Sequence, residues 1–202
     1  GRIAFLIVKS FQGGSGGGGR VALYYADMTG FSLANVQSHG GKGAGNAGGA
    51  GSVYLKPSGG MGTLRIDTHL TSVDTTPRAL TPLGTPGDTA FQVERLVIAG
   101  KHSVAVPEHA GLPIQGDEIV IESGGALSHR AATATEVFSL EVTTGTLTID
   151  ANSESRIDVT GKGYLPGRTV GNGEGDAGEL VLIMRVGVSG TVPAPPPPML
   201  DG

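Results

Sequence analysis

Cysteine and tryptophan are absent from this 202-residue chain, and four tyrosines and five phenylalanines are all the aromatics it has. Without cysteine there is neither a disulfide nor a thiolate metal site. Charge is sparse too: charged residues make up 16%, and 14 basic against 18 acidic side chains leave a net charge of −4. No basic run or stripe breaks that balance, so the electrostatic footprint of a nucleic-acid partner is missing. Long apolar runs are missing as well. The opening stretch, residues 3–8, is too short for a signal-peptide core and no segment is long enough to span a bilayer. Helix signals are almost gone, and only residues 131–136 suggest a turn of helix, among threonines that disfavour one. The chain begins with glycine and reads as a fragment or processed form of a longer exported protein.

What is present is glycine, 36 residues of it, with 12 prolines and 38% hydrophobic residues. Glycine- and proline-rich chains often fail to fold. Here, however, the apolar residues gather into short β-branched runs bounded by Gly, Pro, Asn or Asp, which is the pattern of strands and turns. Strands are expected at 2–9, 20–25, 32–36, 52–56, 63–67, 92–99, 103–106, 118–122, 126–129, 138–142, 146–149, 156–159 and 179–188.

One phrase recurs. GGSGGGGRVALYY at 13–25 returns as GNAGGAGSVYL at 45–55, with Gly19 and Gly51 opening equivalent strands 32 residues apart. Further on, the triplets beginning at Leu96, Ile119 and Leu140 are 23 and 21 residues apart. Such periods fit stacked coils, each unable to bury its apolar face alone. The expectation is an all-β, right-handed parallel β-helix (a solenoid) over residues 1–191, each coil running through three short strands joined by glycine-rich turns. Its inward positions would be Ile3, Val21, Leu23, Val53, Leu55, Leu64, Ile66, Leu96, Ile98, Ile119, Ile121, Leu140, Val142, Leu147, Ile149, Ile157 and Val159. Residues 68–90, rich in Thr and Pro, read as a loop excursion and an exposed functional surface. The proline-rich stretch 192–202 reads as a polyproline II tail or linker.

The phrases GGGGRVALYY, GGAGSVYL and LTIDANSESRIDVTGKGYLPGRT (147–169) resemble bacterial glycine-rich extracellular parallel β-helix proteins. These are pectin-lyase-like proteins of the adhesin and autotransporter-passenger style. The resemblance implies an extracellular or bacterial cell-surface location and a structural or adhesive role toward a surface polysaccharide or host component. Because that superfamily also holds polysaccharide lyases and glycoside hydrolases, it leaves a carbohydrate-active enzyme as the alternative.

Residues 14–19 and 43–48 match GxGxxG, and residues 13–17 match GxSxG around Ser15, but strands rather than helices follow, so nucleotide binding and a nucleophile elbow are unsupported. For an enzyme, the best constellation is Asp117, Glu118 and Glu122 on one coil, with Lys101, His102, His129 and Arg130 on neighbours. For calcium, Asp150, Asn152 and Glu154 alternate like the start of a calcium loop, although the bidentate terminal glutamate is missing; Asp176 and Glu179 are a fainter pair. His39, His69, His102, His109 and His129 show no zinc-ligand spacing and read as surface residues of coils and turns. Tyr24, Tyr25 and Tyr54 stand at equivalent places in two phrases, available either for packing or for stacking on sugar rings.

Overall fold

The computed structural model describes residues 15–32, 35–42, 47–70, 75–151, 153–165 and, as backbone only, 182–186. Among the described residues eleven strands are formed: β1 (Arg20–Tyr25), β2 (Ser52–Pro57), β3 (Thr63–Asp67), β4 (Thr81–Leu83), β5 (Phe91–Ala99), β6 (Val104–Pro107), β7 (Ile114–Glu122), β8 (Ala126–Leu127), β9 (Leu140–Ile149), β10 (Arg156–Ile157) and β11 (Leu182–Val186). They make two sheets, ordered β1-β2-β3-β5-β7-β9-β11 and β10-β8-β6-β4. From β3 onward the chain alternates between them, and every neighbouring pair is parallel except β2–β3.

The expected right-handed parallel β-helix is therefore corrected. The strands fall into two open sheets rather than three strips of a closed coil, and β1, β2 and β3 follow one another within the same sheet. The cause is local. The turn after Pro57 carries Gly59 at φ 72° and folds β3 back antiparallel on β2. Between β1 and β2 the described residues pack glycine backbone on glycine backbone. Gly41 N–H donates to Gly16 O at 2.9 Å, Gly48 N–H to Gly41 O at 3.0 Å and Gly18 N–H to Gly49 O at 3.0 Å.

The core lies between the sheets. Leu96, Ile98, Ile119, Ile121, Leu140 and Val142 from the large sheet meet Leu83, Ala105 and Leu127 from the small one. Leu96 stands opposite Ile119, and Ile119 opposite Leu147, so like residues stack strand upon strand. The outward residues Val97, Ala99 and Val120 form a second small cluster. Strands apolar on both faces read as continuous runs, which is why LVIA and IVI show so little alternation.

Several expectations shift in detail. Leu147, not Leu140, is the partner of Ile119, because 138–142 and 146–149 belong to one long strand, β9. Val53 and Leu55 pair with Arg65 and Thr63, on the opposite face from Leu64 and Ile66, since the antiparallel turn matches Tyr54 to Leu64. The stretch 68–90 contains β4, with Thr81 and Leu83 buried, so part of it is core. Residues 32–36 hold no strand among the described positions, and 131–136 form a threonine-capped bend rather than a helix, with Glu136 N–H donating to Thr133 Oγ1. The expected strand at 2–9 and the tail at 192–202 lie outside the described residues.

Strands β5, β7 and β9 share a bend that shapes the surface. Inward residues run Phe91, Val93 and then Leu96, Ile98 in β5, and Leu140, Val142 and then Leu147 in β9. The parity changes at one level, where Glu94, Asp117 and Gly145 drop out of the ladder. The strand ends are tight as well. At Gly100 (φ 81°), a side chain would meet Thr68 Oγ1 at 2.5 Å and Asp67 Oδ1 at 2.7 Å.

Candidate functional site

The three carboxylates grouped by sequence part company on the strand. Alternation sends Glu118 and Glu122 to one face of β7 and Asp117 to the other side of the bend. On the outer face, Arg65 Nη1 donates to Glu122 at 3.1 Å, while its Nε and Nη2 bond Asp67 Oδ2 at 3.0 and 2.7 Å. Arg95 Nε approaches Glu118 Oε2 at 2.8 Å. Two arginines from β3 and β5 thus cross-link three carboxylates over three adjacent strands, and hold the guanidinium of Arg65 firmly charged: its pKa is raised despite desolvation, by its bonds to Asp67 and Glu122.

The other members of the expected catalytic constellation point elsewhere. Lys101 Nζ lies 3.4 Å from Glu154, and Arg130 lies 3.7 Å from Glu108. His102 occupies a left-handed turn position, φ 63°. His129 is buried, its Nδ1 2.6 Å from the Arg130 carbonyl. Beside it Lys162 donates to Ser128 Oγ and to His129 O, and burial lowers its pKa. Ser128 is itself buried and its hydroxyl donates to the Asp158 carbonyl, so the pair braces the chain after β8.

For the calcium candidates, Asp150 is tied through its N–H to Ile121 O at 2.9 Å, Glu154 is turned to Lys101, and Asn152, Asp176 and Glu179 lie outside the described residues. No group of three metal-ligating side chains occurs among the described residues. Two histidines that sequence spacing kept apart do meet: His39 and His69 pack edge to face at 6.1 Å, with His69 Nδ1 3.6 Å from Asp67. His109 has carbonyls on both ring nitrogens, Ala110 O at 3.0 Å and Asp88 O at 2.9 Å. These two backbone bonds raise its pKa, because only the imidazolium donates to both.

Two concavities stand out. A cleft of about 750 Å³ opens beside β4, between the glycine-rich segments around Gly17 and Gly49, and Ser15 lies on its rim. An open groove of about 730 Å³ lies across the bend of the large sheet, lined by Tyr54, Leu64, Phe91, Gln92, Gln115, Asp117 and Thr143, among others. Register places Gln92, Gln115 and Thr143 in one row on β5, β7 and β9, and Gln92 Nε2 donates to Gln115 Oε1 at 2.8 Å. Tyr54, on the groove wall, packs edge to face on Tyr24 at 5.9 Å, and Tyr24 is 75% exposed. Tyr25, one residue on, turns to the opposite face with Leu55 and Arg65. Glu94, at the groove wall, is neutralised by Lys56 and by the Gly62 N–H, which lower its pKa.

Sequence reasoning singled out Asp117 and Tyr54 of this groove but missed Gln92 and Gln115, which are uncharged and belong to no motif. Their separation, equal to that of Leu96 and Ile119, was the available signal. Among the described residues, no helix is long and apolar enough to cross a membrane. Compared with protein-family models, curated proteins and solved structures, the chain matches none.

Proposed function

We propose that this chain is a non-enzymatic, exported cell-surface module, structural or adhesive in role, that holds a surface polysaccharide or host-surface component against its large sheet. The observation that carries this reading is the use of the acidic residues. Glu118 and Glu122 are taken up by Arg95 and Arg65, while Asp117 sits on the other side of the strand. Glycoside hydrolysis needs two carboxyl groups facing one bond, about 5–10 Å apart with a gap for the sugar between them. Here Glu118 and Glu122 are held by arginines, and Asp117 lines a different concavity from theirs.

The alternative, a carbohydrate-active enzyme, makes a distinct prediction. Incubating the purified chain with polygalacturonate and with a neutral β-glucan, and assaying reducing ends and unsaturated products, is expected to yield neither. Release of products that disappears in Asp117→Asn or Glu118→Gln would establish the enzyme instead.

A further inference from the structure

We propose that the groove across β5, β7 and β9 binds an extended, uncharged glycan lying perpendicular to the strands. This rests on the surface-ligand reading above and names the class of ligand. Three features of the groove point to it. The first is its direction: Gln92, Gln115 and Thr143 stand abreast on β5, β7 and β9, and Leu64 of β3 and Tyr54 of β2 complete the lining, so it runs across strands rather than along one. Parallel strands are spaced by about 4.8 Å, roughly the advance of one sugar in an extended chain, so each strand meets about one residue of such a polymer.

The second is chemistry. Tyr54 and Phe91 offer apolar ring surface, which suits the C–H face of a pyranose, while amides, a threonine hydroxyl and a carboxylate suit its hydroxyls. Gln92 and Gln115 spend one donor and one acceptor on each other, which fixes both amides and leaves further donors and acceptors free to face a ligand. Asp117 is exposed and makes no ion pair among the described residues.

The third is charge. No lysine or arginine is among the described residues lining the groove, and Glu94 is already neutralised by Lys56. Asp117 therefore leaves the site slightly negative. A uronate polymer would be repelled, whereas a neutral chain would find a carboxylate able to accept two hydroxyl hydrogens.

The test is calorimetric titration of the 202-residue chain with cellohexaose, mannohexaose and xylohexaose, with hexagalacturonate as the acidic comparator and the matching disaccharides for length. Saturable binding of at least one neutral hexasaccharide is expected, at least tenfold tighter than its disaccharide and than hexagalacturonate. Gln115→Ala, at a half-buried position, and Asp117→Asn, at an exposed one, are each expected to raise Kd about tenfold, the worth of one hydrogen bond, with the Asp117 variant keeping the parent's melting temperature. The proposal is overturned if no neutral hexasaccharide binds, if hexagalacturonate binds as well as the neutral chains, or if both variants bind like the parent. A hexasaccharide that is bound and also cut would support the site and overturn the non-enzymatic reading. Absence of both binding and cutting would remove the site and leave that reading standing.

Discussion

Replacing Gly48 with alanine tests the packing of glycine backbone on glycine backbone. A Cβ built on Gly48 falls on the carbonyl oxygen of Gly16, 2.7 Å from its carbon and 3.1 Å from the Gly17 Cα. Those atoms are backbone and cannot swing aside. The same carbonyl accepts from Gly41 N–H, and Gly48 N–H donates to Gly41 O, so relief by movement stretches at least two hydrogen bonds. Overpacking of this kind costs about 1–3 kcal/mol, and each weakened hydrogen bond about 1 kcal/mol more. A total of about 3 kcal/mol lowers the melting temperature of a chain this size by roughly 6–12 °C. Gly17 provides the control, since a Cβ there meets nothing within 4 Å. Its alanine variant should lie within about 1 kcal/mol of the parent, on the stabilising side if its backbone angles suit alanine. Urea and thermal unfolding followed by circular dichroism give both numbers. Equal stability of Gly48→Ala and Gly17→Ala would refute the backbone-on-backbone arrangement.

Ile119→Ala removes a fully buried side chain stacked between Leu96 and Leu147 and should cost about 3 kcal/mol, whereas Ile149→Ala, at a residue 38% exposed, should cost less than half of that, both read from urea midpoints. His109 carries the pH dependence. Its folded-state pKa is raised by the carbonyls of Ala110 and Asp88, with Glu108 adding charge while itself near Arg130. Its stabilisation is thus complete below the ordinary value of 6.5 and lost as pH rises through the raised one. The parent should melt above His109→Gln in acid, with the gap closing toward alkaline pH; a gap constant across that range would remove the clamp.

Much of the strand content was legible because short β-branched runs between glycines leave few other choices. β1, β2, β3, β5 and β6 begin and end within a residue or so of where the sequence places them. The spacing of Leu96 and Ile119 gave their true register. What failed was everything that depended on a neighbour at a distance. The triplet at Leu140 looked like the next repeat, yet it belongs to the near half of a ten-residue strand whose far half supplies Leu147. β4 has three residues, one of them proline, and was hidden in a Thr/Pro-rich stretch. The antiparallel turn after Pro57 reversed the face of Val53 and Leu55, a change that no apolar count reveals. For the site, simple alternation along β7 would have separated Asp117 from Glu118 and Glu122. Their arginine partners, by contrast, lie on other strands and follow only from the register.

That register, with Gln92, Gln115 and Thr143 abreast, underlies both the core and the groove, and the cysteine-free chain lets it be tested cleanly. The most direct measurement is oxidation of two double variants under mild conditions, with the disulfide yield read by mass spectrometry. Directly opposed residues of neighbouring strands fall within the roughly 4.4–6.8 Å Cα separation that a disulfide requires. Gln115→Cys with Thr143→Cys should therefore cross-link within the monomer, and Gln115→Cys with Glu136→Cys, the pair that a 21-residue repeat would align, should not. Cross-linking of the second pair with none of the first would contradict the account.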